Sequence, residues 1–150
     1  MARVSRSRVI AANREQVWAL VSDPHSLPRW WPRTQRVEDV QGSGKRLRWT
    51  TVLETDRGSG VRADFRCEAA TEPERLAWAQ DIEGTPFERI LRSSALEIVI
   101  EPEQDGASRV TLVSEESLRG LSRLGSGMVR GATRRRLDEA LDGIELAVGR

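Results

Sequence analysis

The hydrophobic period changes once in the body of this chain, and that change limits the fold more than any other feature. From residue 34 to residue 117 apolar and polar residues alternate; from 121 to 148 the apolar ones recur three to five apart. Alternation marks strands with one buried face, and the longer spacing marks an amphipathic helix. The alternating stretch breaks at Gly42-Ser43-Gly44, Asp56-Arg57-Gly58-Ser59-Gly60, Glu72-Pro73-Glu74, Gly84-Thr85-Pro86 and Asp105-Gly106, all rich in turn formers. Strands are therefore expected at 34–41, 45–54, 60–71, 75–82, 88–101 and 108–117. Links this short join antiparallel neighbours, because a parallel pair needs a long crossover.

Residues 3–10 are β-branched and half polar, which suits one more strand. Asn13 with Gln16 three residues later is a partial capping box, and Val17, Leu20 and Val21 give a short helix over 14–22. Asp23-Pro24 ends it. The segment SDPHSLPRWWP is too proline-rich for a long helix, so one or two turns near 25–31, closed by Pro32, are expected. The long helix would bury Leu121, Leu124, Met128, Ala132, Leu137, Leu141, Ile144 and Val148. Gly125, Gly127 and Gly131 crowd its first half. Either the helix starts late, or small residues leave space on that face.

At 150 residues the chain fits one domain, 1–150. Its 24 basic and 23 acidic residues nearly cancel, which argues against a nucleic-acid partner. Only Lys45 among the basic residues is lysine, so arginine–carboxylate pairs should lace the surface. With Cys67 the only cysteine and His25 the only histidine, neither an internal disulfide nor a zinc ligand set can form, and no metal or cofactor is expected. Arg3, Arg6 and Arg8 interrupt any apolar leader, and no run approaches the roughly 20 residues of a membrane span. A cytoplasmic location is the expectation.

The alternation also proposes a register. Leu47, Trp49, Thr51 and Leu53 share one strand face with Val61, Ala63, Phe65, Cys67 and Ala69 on the next strand. Leu76, Trp78, Gln80 and Ile82 follow, then Glu88, Ile90, Arg92, Ser94, Leu96, Ile98 and Ile100, then Val110, Leu112, Ser114 and Glu116. Tight hairpins would align Trp49, Phe65, Gln80 and Ile90 in one row, and Leu47, Cys67, Trp78 and Arg92 in the next. Ser94 would face Glu116, with Arg92 diagonal to it.

That face is apolar and aromatic but interrupted by Gln80, Arg92, Ser94 and Glu116. A solid core would avoid them, whereas a ligand pocket is apolar with a few convergent polar groups. The other reading places them at the wet end of the sheet, or flips the register with a bulge near Ser93-Ser94. The expected ligand-facing residues are Trp49, Phe65, Trp78, Gln80, Ile90, Arg92 and Ser94 from the sheet. Leu124 and Met128 join them from the helix, and Trp31 from the proline-rich segment, with Trp30 assigned to packing. Arg92 and Glu116 are the catalytic candidates, able to polarise a carbonyl and move a proton; a structural ion pair is the alternative. His25 suits a solvated loop and Cys67 a small buried hydrophobe. Arg134-Arg135-Arg136, followed by Asp138, Glu139 and Asp142, reads as a solvated helix face.

The stretch VSRSRVIAANREQVWALVSDPHSLPRWWPRTQRVEDV resembles the N-terminal signature of the SRPBCC, or START-like, superfamily. More narrowly, it is similar to the polyketide cyclase/dehydrase and lipid-transport group. The C-terminal LRGLSRLGSGMVRGATRRRLDEALDGIELAV matches that group's closing helix in pattern. The resemblance implies an α+β helix-grip fold: a curved antiparallel seven-stranded sheet around a long C-terminal helix, with two short helices after strand 1. It implies a cavity for a hydrophobic small molecule (a polyketide, lipid or isoprenoid-like compound). A polyketide aromatase/cyclase or dehydrase acting on a carrier-bound chain is the alternative. A protein-interaction subunit with a vestigial pocket is the second. VWALVSD is a fold motif, so no catalytic residue is carried over, and enzyme activity and a homodimer both stay open.

Overall fold

In a computed structural model, which describes residues 2–55, 60–120 and 126–149, seven strands form one antiparallel sheet. They are β1 (Ala2–Ile10), β2 (Thr34–Gln41), β3 (Arg48–Leu53), β4 (Val61–Thr71), β5 (Arg75–Asp81), β6 (Leu91–Pro102) and β7 (Ser108–Leu118). The spatial order is β1-β7-β6-β5-β4-β3-β2. Strands β2 to β7 thus run as a meander, and β1 returns to pair with the last of them. The chain must therefore pass from one sheet edge to the other between β1 and β2. Helices α1 (Arg14–Val21) and α2 (Leu27–Trp30) make that passage and close one end of the curved sheet.

Local chemistry sets these short elements. The Asn13 side chain accepts from the Gln16 N–H at 2.8 Å, and the Gln16 side chain accepts from the Asn13 N–H at 2.9 Å, which completes the capping box. Asp23 then accepts from the His25 N–H at 3.0 Å and starts the 3-10 turn Pro24–Ser26. Helix α2 stops where Trp31 turns extended ahead of Pro32, as the residue before a proline favours.

Helix α3 (Ser126–Val148) lies in the grip of the sheet. Leu137, Ala140, Leu141 and Ile144 are buried with Ile10, Ile98, Ile100, Val110 and Leu112. Gly143 lets α2 touch α3: a Cβ there would stand 2.5 Å from the Trp30 carbonyl oxygen and 2.7 Å from its Cα. Outside this core Arg6 on β1 donates to both carboxylate oxygens of Asp138, at 2.9 and 3.1 Å, and Arg8 pairs with Asp142. The seven-stranded helix-grip expectation holds.

Three parts of the expected pattern do not: first, a bulge between Cys67 and Ala69 shifts the register, so Ala70 rather than Ala69 packs against the core. Trp78 pairs with Leu96 and Ala79 with Ala95, rather than Trp78 with Arg92. The link after β5 is not a tight turn: Pro86–Arg89 forms a 3-10 turn, and β6 begins only at Leu91. A bulge between Leu91 and Ser93 then reverses the alternation. Leu91 is buried in place of Arg92, which is exposed. The third difference is in the helix. Met128 is 81% exposed. Nine residues separate it from Leu137, about two and a half turns at 3.6 residues per turn, so the two point to opposite sides. The expected stripe changed phase across the five-residue gap from Ala132 to Leu137. The expected placements of Leu121, Leu124 and Gly125 lie outside the described residues.

Candidate functional site: a two-toned cavity

Beyond Leu137 toward its N-terminus, α3 no longer fills the space over the sheet. Between them lies a cavity of about 620 Å3. That volume falls within the range of small-molecule sites, roughly 300–1,000 Å3.

One side of the cavity is aromatic. Trp49 on β3 and Phe65 on β4 are cross-strand partners, and their rings stack at 5.8 Å with 14° between planes. Trp78 meets Trp49 edge-on at 5.5 Å and 89°, and Trp31 meets Trp78 at 6.4 Å and 75°. These offset and edge-to-face contacts suit the ring quadrupoles, so the wall is held by its own rings. The Trp49 indole N–H donates to Thr51 Oγ1 at 3.2 Å. Phe87, from the 3-10 turn, and Ile90, which is 56% exposed, stand at the cavity's edge. Trp30 is 2% exposed and belongs to the core, whereas its neighbour Trp31 reaches the cavity.

The other side is polar. Ser94 on β6 stands opposite Glu116 on β7, and its hydroxyl lies 3.3 Å from Glu116 Oε2. Glu116 Oε1 accepts from Arg136 Nη2 on α3 at 3.2 Å. The Glu116 side chain is 17% exposed and its Arg136 partner 42%, so the carboxylate is the shielded member of the pair. Two polar atoms here are buried without a protein partner: Gln80 Nε2 and Arg136 Nε.

Of the expected ligand-facing residues, Trp31, Trp49, Phe65, Trp78, Gln80, Ile90 and Ser94 do line this cavity, as does Glu116. Arg92 does not, because the bulge points it to solvent; the Arg92–Glu116 partnership is replaced by Arg136–Glu116. Met128 is likewise outside, and Leu124 is not among the described residues. Arg136 was hidden in an arginine run that read as a solvated face. The available signal was its place four residues after Ala132 and four before Ala140, on the flank of the apolar stripe.

His25 is exposed in its 3-10 turn and stands apart from the cavity. Cys67 lines a separate gap of about 10 Å3 behind Trp49 and Trp78. Burial pushes its thiol pKa up, and Sγ donates to the Ala69 carbonyl at 3.4 Å, so the sulfur is a poor nucleophile. Among the described residues no three His, Cys, Asp or Glu side chains converge to hold a metal, and no helix is long and apolar enough to cross a membrane.

A curved antiparallel sheet gripping one long helix over an aromatic-lined cavity defines a START-like protein. The particular family follows from the sequence: the profile described as "Polyketide cyclase / dehydrase and lipid transport" matches residues 1–149, and the chain belongs to that family. A search of curated protein sequences finds no match. Among solved structures, a START superfamily protein from Mycobacterium smegmatis superposes with a TM-score of 0.77 at 14% identity, over 98% of this chain and 97% of that one. The Zhui aromatase/cyclase from Streptomyces sp. R1128 gives 0.79 at 16% identity, over 99% and 95%. The di-domain ARO/CYC BexL from the BE-7585A biosynthetic pathway gives 0.77 at 20% identity; 97% of this chain covers 45% of that one. At these identities the likeness is one of fold.

Proposed function

We propose that the protein binds a hydrophobic, ring-containing small molecule in the cavity between the sheet and the N-terminal half of α3. The observation that carries this reading is the unfilled volume of about 620 Å3 beside a preformed aromatic wall. Wall atoms facing a void forgo dispersion contacts, and a flat apolar guest restores them. Native mass spectrometry of freshly purified protein should show a bound mass. Ala132→Phe fills the hollow from the helix side, where Ala132 lines it, and should abolish that mass at unchanged melting temperature. An unaltered bound mass in Ala132→Phe would place the ligand elsewhere.

A second reading, an aromatase/cyclase acting on a polyketide, is favoured by one feature: the shielded Glu116 carboxylate between Ser94 and Arg136. In that chemistry Arg136 would polarise a substrate oxygen and Glu116 would carry a proton, roles earlier assigned to Arg92 and Glu116. Glu116→Gln separates the readings. It should abolish turnover of a poly-β-ketone in an enzyme and leave a carrier's ligand occupancy intact.

A further inference from the structure

Charge pairing stops at the open end of the cavity. Elsewhere arginines are matched, as Arg6 with Asp138, Arg62 with Glu38, Arg66 with Asp81 and Arg75 with Glu97. Arg89, Arg92, Arg119, Arg130, Arg134 and Arg135 have no carboxylate partner among the described residues. The fold brings them to one end. The Arg119 N–H donates to the Ile90 carbonyl at 2.9 Å, and Leu118 pairs with Leu91, so the end of β7 meets the start of β6. Helix α3 starts above them, and its Arg135 lines the cavity with Ile90 and Leu118. Glu54, Glu83, Glu88 and Glu139 are too few to cancel this charge. At the opposite end, where Glu74 on the β4–β5 turn meets Ile100 and Arg14, the carboxylates of Glu15, Glu72, Glu101 and Asp105 lack basic partners among the described residues. The charge is thus polarised along the strands although the chain totals only +1.

Exposed apolar side chains gather at the same open end. Val61 at the start of β4 is 36% exposed, Ile90 56% and Met128 81%. Met128 precedes Ala132 by four residues and Arg135 by seven, so it continues the helix stripe that lines the cavity, one turn nearer the mouth. These side chains come from three separate segments around the opening. A folded partner would have to match them in shape. A fluid bilayer takes separate apolar side chains at any spacing, and negative headgroups take the arginines.

We infer that the open end is a docking surface for an anionic lipid bilayer, with Arg89, Arg92, Arg119, Arg130 and Arg134 against the headgroups and Ile90 and Met128 in the interface. The polarised charge turns the cavity mouth toward a negative surface during approach. Charge and exposure alone make the surface; its use to pass a guest between bilayer and cavity rests on the cavity being a ligand site, as proposed above.

Sedimentation with vesicles tests it, using mixed phosphatidylcholine and phosphatidylglycerol against phosphatidylcholine alone. The protein should pellet with the anionic vesicles in about 0.1 M salt and not with the neutral ones. It should be released in about 1 M salt, where charges are screened within roughly 3 Å. Arg92→Gln and Arg134→Gln should each weaken binding about fivefold, the share of one basic residue near an anionic surface. Arg46→Gln, exposed at the opposite end, should change nothing. Ile90→Ser combined with Met128→Ser should weaken binding with the salt dependence kept. Melting temperatures establish that the variants are folded. Failure to pellet with anionic vesicles, or equal pelleting with both kinds, would overturn the proposal. So would a loss from Arg46→Gln equal to that from Arg92→Gln. Self-association in sedimentation velocity that Arg92→Gln abolishes would give this end to the acidic end of a second copy, and would overturn it too. Each of these failures leaves the bound mass in native mass spectrometry, and with it the ligand reading, standing.

Discussion

The two halves of α3 face opposite tasks. Toward its C-terminus Leu137, Leu141 and Ile144 are at most 1% exposed, and Gly143 brings the helix onto the backbone of α2. Toward its N-terminus Gly127, Met128, Arg130 and Ala132 are exposed, and the sheet below them is separated by the cavity. The same helix is a core element at one end and a roof at the other. Stability is therefore concentrated where the helix meets β1, α1 and α2, and binding where it does not. Substitutions in the two halves should consequently separate into those that unfold the protein and those that leave the fold alone.

The largest expected effect is Leu141→Ala. Leu141 is 1% exposed within the single core cluster, and such truncations cost roughly 2–5 kcal/mol when the neighbours cannot collapse. Chemical denaturation should show the midpoint fall with an unchanged slope. A loss below 1 kcal/mol would mean that the C-terminal half is not the anchor.

Next in size is one substitution made in both halves. Gly143→Ala puts a methyl 2.5 Å from the Trp30 carbonyl oxygen, and main-chain atoms cannot swing aside. It should destabilise by about 1–3 kcal/mol, as overpacking does. Gly131→Ala meets nothing within 4 Å. There the methyl only improves helix propensity, and stability should rise by about 0.5–1 kcal/mol. Opposite signs at two glycines of one helix would confirm the division. The same sign at both would end it.

Much of this division could be read from the residues, and the parts that could not have local causes. Trp49, Phe65 and Gln80 share a row because β3, β4 and β5 keep a strict two-residue alternation there. Ser94 opposite Glu116 was legible for the same reason. Arg92 was misplaced because register travels through a turn only when the turn is tight, and the link from Ile82 to Ile90 folds into a 3-10 turn of its own. Nothing in the alternation of Leu91-Arg92-Ser93-Ser94 announces a bulge. Arg136 was missed because a charged residue on the flank of an amphipathic helix looks solvated until the space beneath it is known. The hollow comes from what α3 fails to cover, and a one-dimensional pattern reports coverage poorly.

The smallest expected effect concerns the ion pairs that strap the packed half of α3 to β1. Arg6 contacts both oxygens of Asp138, but their side chains are 45% and 37% exposed. Water and salt screen such a pair, so Arg6→Ala should cost only about 0.2–1 kcal/mol, shrinking further in 1 M salt. The outcome bears on the comparison because no ion pair is needed to explain why this half is firm: Leu137, Leu141 and Ile144 already do so. If Arg6→Ala instead cost as much as Leu141→Ala, and salt reproduced the loss, the helix would be held from its rim rather than from its core. The contrast between the two halves would then be electrostatic in origin. With the expected small loss, the contrast stays one of packing: a filled interface at one end of the helix, and at the other a space left for a guest.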